Sequence, residues 1–346
     1  MVIATSYLVG ILCCVFCCIC WGSASNTQKM VARPDWGFEF FYLDFTIGLV
    51  VMALIGALTL GSLGHQGPTF IENLHDINAY SAINAIGGGI IWNFATIFLI
   101  AAIALTGISV GFPIGGGLGW IGGIIYNYVL VTSAGGTYPG NNTLLWTGVV
   151  FIILAIFLNA KAYSMQQSSS NSKPSTKGIL VALLSGIAYI FFFGLVVKSI
   201  NPLYGGVEPA AGGQAGTLTP YTAVFLFSMG ILITTPIFIP FLMRHPLQGG
   251  KKRLADYTRG TTRAHLIGIA GGLVWMAGMV VSFMRGNAGN AAIAIGLCNA
   301  APVVGILWGL FVWKEFKGAT RHTRMLIAAV LLAFLVGLMC IALSGE

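Results

Sequence analysis

Gly88-Gly89-Ile90-Ile91-Trp92 and Gly271-Gly272-Leu273-Val274-Trp275 repeat one pattern in the two halves of the chain. The copies begin 183 residues apart, and each lies within a long apolar stretch. At the same spacing Gly122 corresponds to Gly305. This repeat predicts that the second half of the chain duplicates the first. It also predicts that the two tryptophans approach each other from opposite halves.

The apolar composition is typical of a membrane protein. Of the 346 residues, 57% are hydrophobic and only 8% are charged, whereas a soluble domain carries about 25% charged residues. Apolar runs long enough to cross a bilayer as helices recur along the whole chain. We therefore predict an all-α integral membrane protein with ten transmembrane helices, at 7–28, 39–61, 82–105, 107–131, 143–162, 178–199, 221–243, 264–284, 288–313 and 324–343.

The number of spans in each half predicts their relative orientation. Five is an odd number, so two halves with the same fold must be inserted in opposite directions. Inverted repeats are common in secondary transporters, where the binding site lies at the repeat interface near the membrane midplane. The predicted organisation is a five-helix repeat at 1–162, a short cytoplasmic linker at 163–177 and a second five-helix repeat at 178–346.

Basic residues orient the predicted spans. The odd-numbered connections contain 15 of the 17 Lys and Arg residues, and short cytoplasmic loops carry such an excess. Both termini are therefore predicted on the outer side of a plasma or inner membrane. The net charge of +8 then reflects loops beside anionic lipid headgroups, and no nucleic-acid partner is expected.

Ionisable residues inside the spans are candidates for ion coupling, because such groups are costly in a membrane. Asp44 lies five residues into the second predicted span, and Glu39 and Lys29 lie at the cytoplasmic ends of the second and first. A proton gradient is the expected energy source, with sodium as the alternative ion. Glu39 and Lys29 have the alternative of snorkelling to the interface. Asp44 has the alternative of pairing with Lys29 or with a helix N-terminus.

Aromatic and amide side chains within the spans are candidates for solute binding. Aromatic faces stack on planar molecules and amides supply both donors and acceptors, which suits a small neutral polar solute. For part of this set the alternative is hydrogen bonding between helices, or a place in the interfacial aromatic belt. The candidate binding residues are Asn26, Trp92, Asn93, Tyr189, Trp275 and Asn299.

Glycines also form a stripe at four-residue spacing in the fourth span, at Gly115, Gly119 and Gly123. Small residues at this spacing let helix backbones approach closely, so the stripe predicts a packing face.

Features of an enzyme or a metalloprotein are weak. The five histidines are scattered in loops or at span ends, and no His-Glu-x-x-His motif is present. Cysteines 13, 14, 17, 18 and 20 lie in one apolar helix, where buried thiols usually act as small apolar fillers. No cofactor or metal is therefore expected. A structural or receptor role would be favoured over transport if the halves enclosed no polar cavity.

Several segments resemble the ureide permeases of plants, in the same order and across nearly the whole chain. The resembling segments are Phe41-Tyr42-Leu43-Asp44-Phe45-Thr46, Ala57-Leu58-Thr59-Leu60-Gly61, Tyr221-Thr222-Ala223-Val224-Phe225, Ala300-Ala301-Pro302-Val303-Val304, Trp308-Gly309-Leu310-Phe311-Val312 and Lys314-Glu315-Phe316-Lys317. The resemblance implies proton-coupled uptake of ureides and related oxo-nitrogen heterocycles. Asp44, Pro302 and Glu315 occupy matching motif positions.

A second resemblance keeps another substrate open. Trp21-Gly22-Ser23 and the segment 308–317 are also similar to glucose- and rhamnose-type sugar porters. Both groups belong to the drug/metabolite transporter superfamily, whose ten-helix members are five-plus-five inverted repeats. The alternative function is therefore monosaccharide–proton symport. Plant ureide permeases carry a Walker-type stretch in a long central loop, but 163–177 is short and lacks Gly-x4-Gly-Lys, so ATP binding is not implied.

Overall fold

The computed structural model describes residues 1–4, 6–31, 36–133, 140–168, 175–206, 209, 213–247, 250–284, 297–298, 300–314 and 316–344. Within these residues the regular secondary structure is entirely helical. The helices are α1 (Tyr7–Val31), α2 (Phe38–Leu58), α3 (Phe70–His75), α4 (Ala79–Thr106), α5 (Ile108–Ser133), α6 (Asn142–Ser168), α7 (Thr176–Ser199), α8 (Pro220–Arg244), α9 (Thr262–Met284), α10 (Ala301–Leu307) and α11 (Arg321–Leu343).

Eight of the described helices are long and apolar enough to cross a bilayer, namely α1, α2, α4, α6, α7, α8, α9 and α11. Each coincides with a predicted span, and α5 coincides with the predicted span at 107–131. The first part of the predicted span at 288–313 lies outside the described residues, as does residue 299. Its described end is α10, which continues as the π-helical turn Trp308–Val312.

Several helices extend a few residues beyond the predicted spans, and α1 and α6 gain polar residues in this way. The first helix runs to Val31 rather than 28, and α6 runs to Ser168, so part of the predicted linker at 163–177 is helical. The added residues include Lys29, Gln166 and Gln167. Such residues end a hydropathic run but have good helix propensity.

Polar caps determine several helix starts. Oxygen atoms of Asn78, Ser175, Thr219 and Thr320 accept backbone N–H groups at the starts of α4, α7, α8 and α11. Helix α3 was not predicted. It begins with a capping box formed by Thr69 and Glu72, and its six residues are too short to give an apolar run.

Glycines set the closest helix contacts, and they include the repeated motif. A methyl group added at Gly89 on α4 would overlap the Phe227 carbonyl oxygen on α8, and one at Gly230 would overlap that of Ile86. The contact between α2 and α9 has the same form. There Gly272 lies against the Phe45 carbonyl oxygen, and Gly48 lies against that of Ile269.

Residue contacts also give the helix directions. Helices α4 and α8 are parallel, because Gly89 faces Phe227 and Asn93 contacts Thr234. Helices α2 and α9 are likewise parallel, since Asp44 faces Gly268 and Gly56 faces Val280. Helices α2 and α8 are antiparallel, because Thr46 contacts Thr235 while Gly61 beyond the end of α2 faces Tyr221. Helices α4 and α9 therefore run in opposite directions.

The apolar core has two parts. The larger part involves α1, α2, α4, α7, α8 and α9. A smaller cluster joins α5, α6, α10 and α11, where Gly148 and Gly337 bring α6 and α11 into close antiparallel contact. The candidate site lies where these two parts meet.

Candidate functional site

A cavity of about 90 Å³ lies between helices from the two halves of the chain. A water molecule needs roughly 10–15 Å³ on the same measure, so the cavity has room for a small organic molecule. Its described lining is mainly aromatic and glycine-rich and contains no charged side chain. The lining residues are Trp21, Trp92, Leu99, Phe112, Gly116, Gly119, Trp120, Gly123, Tyr189, Phe192, Phe193, Trp275, Ala301 and Pro302.

Three tryptophans form one wall of the cavity. The ring centroids of Trp92 and Trp275 are 4.3 Å apart, with their planes inclined by 49°. Trp21 stacks with Trp275 at 5.1 Å and 8°, and its indole N–H donates to the Trp275 carbonyl oxygen at 3.1 Å. Trp92 and Trp275 thus meet from helices of opposite direction, as the repeat predicted. Such a wall offers flat apolar surface to a planar solute.

Glycines allow these rings to meet. One turn after Trp275, Gly278 packs directly on Trp21. The predicted glycine stripe of α5 divides between two roles. Gly115 and Gly119 pack closely on α7, whereas an added Cβ at Gly123 would meet no described atom within 4 Å, and this residue lines the cavity. The stripe is therefore both a packing face and part of the cavity wall.

Polar groups around the cavity are few. The Tyr189 hydroxyl lies 2.7 Å from the Thr96 hydroxyl, so its orientation is fixed by α4. The buried Trp120 indole N–H has no hydrogen-bond partner among the described residues. A lining of this kind favours an uncharged solute, because a charged solute would lose its hydration without a counter-ion.

Two predicted binding residues lie elsewhere. The Asn93 side chain is fully buried between α2, α4 and α8, where it accepts from the Tyr42 hydroxyl at 2.6 Å and donates to Thr234 and Thr235 at 2.8 and 3.1 Å. It joins helices, which was the alternative for this amide. An amide side chain in the sequence does not distinguish solute binding from hydrogen bonding between helices, because a neighbouring hydroxyl can form the same hydrogen bonds as a solute.

Asn26 likewise bonds within the helix bundle. Its Nδ2 donates to the Gly22 and Ser23 carbonyl oxygens, and its Oδ1 accepts from the Trp313 indole at 2.6 Å. The candidate Asn299 lies outside the described residues, and so does Glu315 of the resembling motif. Of the six binding candidates, Trp92, Tyr189 and Trp275 therefore line the cavity.

Asp44 is buried within α2 and forms a compact polar cluster. The Tyr257 hydroxyl donates to its Oδ1. His265 Nδ1 lies 2.9 Å from Oδ1 and 3.1 Å from Oδ2. The contacts that the structure describes for Asp44 are therefore with a residue of α9 and one of the preceding 3₁₀ turn (Leu254–Arg259), and its alternative pairing with Lys29 or with a helix N-terminus stays a prediction.

Trp36 completes the surroundings of Asp44. Its ring meets the His265 ring nearly at a right angle, with centroids 4.9 Å apart, and stacks with Tyr257 at 6.0 Å. A methyl group added at Gly260 would overlap the Trp36 ring. The connection between α8 and α9 thus folds directly over the start of α2. Burial, followed by the hydrogen bond to Asp44, raises the pKa of the Tyr257 phenol, so this hydroxyl remains a donor.

The Glu39 carboxylate is buried in an ion pair. Its side chain is 0% exposed, and Oε2 forms an ion pair of 2.5 Å with Lys252 Nζ. The other oxygen has no hydrogen-bond partner within the described part of the chain. Lys29 is exposed at the end of α1 and places its ammonium 4.8 Å from the Trp313 ring centroid. The three predicted ion-coupling residues therefore lie in three separate environments.

Sequence reasoning missed several residues of these sites. His265 and Tyr257 lie 221 and 213 positions from Asp44, and neither is part of a motif. The only nearby residue in the sequence that indicates a contact with Asp44 is Gly268, which lies one turn after His265 and packs on Asp44. Trp21 lies in the second half of the predicted first span, 7–28, which gives no sign of a central position. Trp120 belongs to no repeated pattern.

Comparison with known proteins identifies similar chains. The family model described as "Ureide permease" matches residues 41–178 and 169–344. Ureide permease 1 of Arabidopsis thaliana is 24% identical over 88% of this chain and 88% of its own length. Ureide permease 5 of the same plant is 24% identical over 97% and 94%. Probable ureide permease A3 of Vigna unguiculata is 22% identical over 91% and 97%. These relatives are named permeases, which are transporters rather than enzymes.

Proposed function

This chain belongs to the ureide permease family, and on that premise we propose that it carries ureides and related neutral oxo-nitrogen heterocycles, such as allantoin or uracil. It is an integral membrane transporter. The observation that carries the proposed substrate class is the aromatic cavity beside Trp92 and Trp275. Planar rings stack on indole faces, and the uncharged described lining suits a neutral solute.

The transport fold that we propose has ten spans, arranged as inverted repeats at 1–162 and 178–346 and joined by 163–177. The glycine contacts support this arrangement. Gly89 of the first half and Gly272 of the second half are equivalent in the repeat, and each packs on a helix of the other half, Gly89 on α8 and Gly272 on α2. The partner helices contribute equivalent glycines, Gly230 on α8 and Gly48 on α2. Equivalent contacts between equivalent helices are what a duplicated, inverted fold predicts.

Other helix pairs fit the same inverted repeat. Helix α1 packs antiparallel on α9, with Trp21 near Gly278 and Thr27 near Gly271. Its proposed counterpart is the packing of α7 on α4, with Val196 near Gly88. Alternating access would then rock one half against the other around the Trp92–Trp275 region, which both halves build.

Orientation follows from the distribution of basic residues. The connection between α8 and α9 contains Lys251, Lys252, Arg253 and Arg259, so we place it in the cytoplasm. Both termini then lie outside a plasma or inner membrane. In this orientation the buried cluster around Asp44 lies between the cavity and the cytoplasm, and lipid headgroups surround the basic loop.

Proton symport is the proposed mode of energy coupling, with no cofactor. Asp44 is the proposed coupling carboxylate because its side chain is 1% exposed and lies within a span, where a permanently charged group is costly. Glu39 is the weaker candidate. Its charge is already balanced by the Lys252 ammonium, whereas Asp44 faces a histidine.

The Asp44 proposal is tested by uptake into proteoliposomes under an imposed pH gradient. Asp44→Asn should abolish gradient-driven accumulation while leaving solute exchange in place. Full pH-driven accumulation by Asp44→Asn would show that this carboxylate does not couple transport.

The substrate class is tested by a binding panel of allantoin, uracil, xanthine, glucose and rhamnose, read by thermal shift because bound ligand stabilises the native state. Stabilisation by the heterocycles and not by the sugars is the expected result. The named relatives do not favour the sugar alternative, and stabilisation by glucose or rhamnose alone would overturn the proposed substrate class.

A further inference from the structure

His265 contacts the buried carboxylate in a way that leaves one of its ring nitrogens unused by that contact. Both Asp44 oxygens are within 3.1 Å of His265 Nδ1, and the Tyr257 hydroxyl also donates to Oδ1. When Asp44 is ionised, its carboxylate only accepts hydrogen bonds, so Nδ1 then carries the hydrogen and Nε2 of the neutral ring has the lone pair. The imidazole therefore presents an open proton acceptor beside a carboxylate whose two oxygens already face donors.

Access to that nitrogen comes from the side of the connection between α8 and α9. The His265 side chain is 24% exposed, whereas that of Asp44 is 1% exposed. Gly260 lies beside Nε2, and a Cβ added there would come within 2.5 Å of this nitrogen. Because glycine has no side chain, the ring edge stays clear at this point. Of the two side chains, His265 is thus the one nearer to solvent.

We propose that His265 carries the coupled proton together with Asp44, binding it at Nε2, so that the two side chains form one proton site. This inference rests on the proposed function as a proton-coupled transporter. Transfer of the proton from hydronium forms one N–H bond on the imidazole, breaks one O–H bond of the hydronium ion and releases a water molecule. It converts a buried site with one net negative charge into a neutral ion pair.

The change in net charge explains how the site would couple to transport. A buried uncompensated charge is costly in a low-dielectric interior, and a well-bonded ion pair is less so. The two halves would therefore rearrange more readily with the proton bound. Along α9, His265 lies roughly 15 Å from Trp275, given the rise of about 1.5 Å per residue. The proton site is thus close to the cavity without forming its wall.

Other charged groups around the site are paired or exposed among the described residues. Glu39 on α2 pairs with Lys252, and Asp256 pairs with Arg259 at 3.1 Å. The remaining basic residues on neighbouring elements are exposed, namely Lys29 on α1, Arg244 on α8, Lys251 and Arg253 in the connection, and Arg263 on α9. His265 is therefore the titratable base that Asp44 contacts directly.

The experiment compares His265→Asn with wild type in proteoliposomes. The Asn amide can still donate to Asp44 near the position of Nδ1, but it cannot take a proton. We expect gradient-driven accumulation of allantoin to fall to equilibration, while allantoin exchange without a gradient continues. His245→Asn is the matched control, because His245 is exposed at the end of α8, and it should accumulate allantoin like wild type.

Wild-type uptake separates a failure of this inference from a failure of the proposed function. If wild type is coupled to the pH gradient and His265→Asn is equally coupled, the histidine only positions Asp44 and the inference is overturned. If wild type accumulates no ureide under any gradient, the proposed function is overturned and the inference with it.

A measurement on wild type covers the case in which His265→Asn does not fold. Infrared difference spectra on acidification, with isotope-labelled histidine, should show an imidazolium signal. The appearance of a protonated carboxyl band that is absent in Asp44→Asn would instead place the proton on the carboxylate and overturn the inference.

Discussion

Lys252→Met should destabilise the protein, because it removes the counter-ion of a buried carboxylate. Glu39 is 0% exposed and Lys252 is 16% exposed. The second Glu39 oxygen has no hydrogen-bond partner among the residues that the structure describes, so the ion pair is what compensates this charge. Methionine keeps an apolar stem of similar length and removes only the ammonium group.

The expected magnitude follows from burial. Breaking a buried ion pair by removing one partner costs about 3–5 kcal/mol. We expect the lower end, about 3 kcal/mol, because Lys252 lies at the edge where water can approach. At roughly 2–4 °C per kcal/mol, this corresponds to a decrease in Tm of roughly 6–12 °C, measured by thermal unfolding in detergent.

Two variants make the assay specific. Glu39→Gln combined with Lys252→Met removes both charges of this pair and should recover most of the lost stability. Lys251→Met changes the exposed neighbouring lysine and should leave the Tm unchanged. A Lys252→Met protein as stable as wild type, or a double variant no better than the single one, would refute the role of this ion pair.

Three further predictions concern helix packing, the buried amide and the phenol. Gly89→Ala should lower the stability of the protein by roughly 1–3 kcal/mol, because the added methyl group overlaps the backbone of α8. Gly87→Ala should instead raise it by up to about 1 kcal/mol through helix propensity, because the nearest atom to the added methyl group is 4.0 Å away. Thermal unfolding of the two variants compares these effects. Asn93→Ala should cost roughly 1–3 kcal/mol by leaving buried partners unbonded, yet keep the KM for uptake unchanged; a large rise in KM would make this amide a ligand. The pKa of Tyr257 is raised in the folded protein. The contribution of this phenol to the stability should therefore be complete below a pH of about 10 and decrease at higher pH. Tyr257→Phe should abolish this decrease.

The helices and the tryptophan pair could be predicted because their signals are local or repeated. Apolar runs mark spans wherever they occur, and the Gly-Gly-x-x-Trp pattern placed Trp92 and Trp275 opposite each other. Helix ends were harder to predict, since residues such as Lys29 continue a helix while ending a hydropathic run.

The surroundings of each polar side chain could not be predicted in the same way. Asn93 and Asn26 are amides in apolar helices, and only packing decides whether a helix or a solute satisfies them. Asp44 was identified as a buried acid, but its partners His265 and Tyr257 come from a distant part of the chain that folds over α2. That contact depends on tertiary packing, which one chain segment does not encode.

The Kd of allantoin for Trp275→Ala, compared with wild type and with Trp146→Ala, tests most directly whether the solute binds between the two halves. Trp146 contacts Tyr128 away from the cavity. Stacking of a planar heterocycle on an aromatic side chain is worth about 1–3 kcal/mol, so Trp275→Ala should raise the Kd by roughly 5- to 150-fold, and Trp146→Ala should not change it. An unchanged Kd in Trp275→Ala would contradict binding of the solute between the two halves.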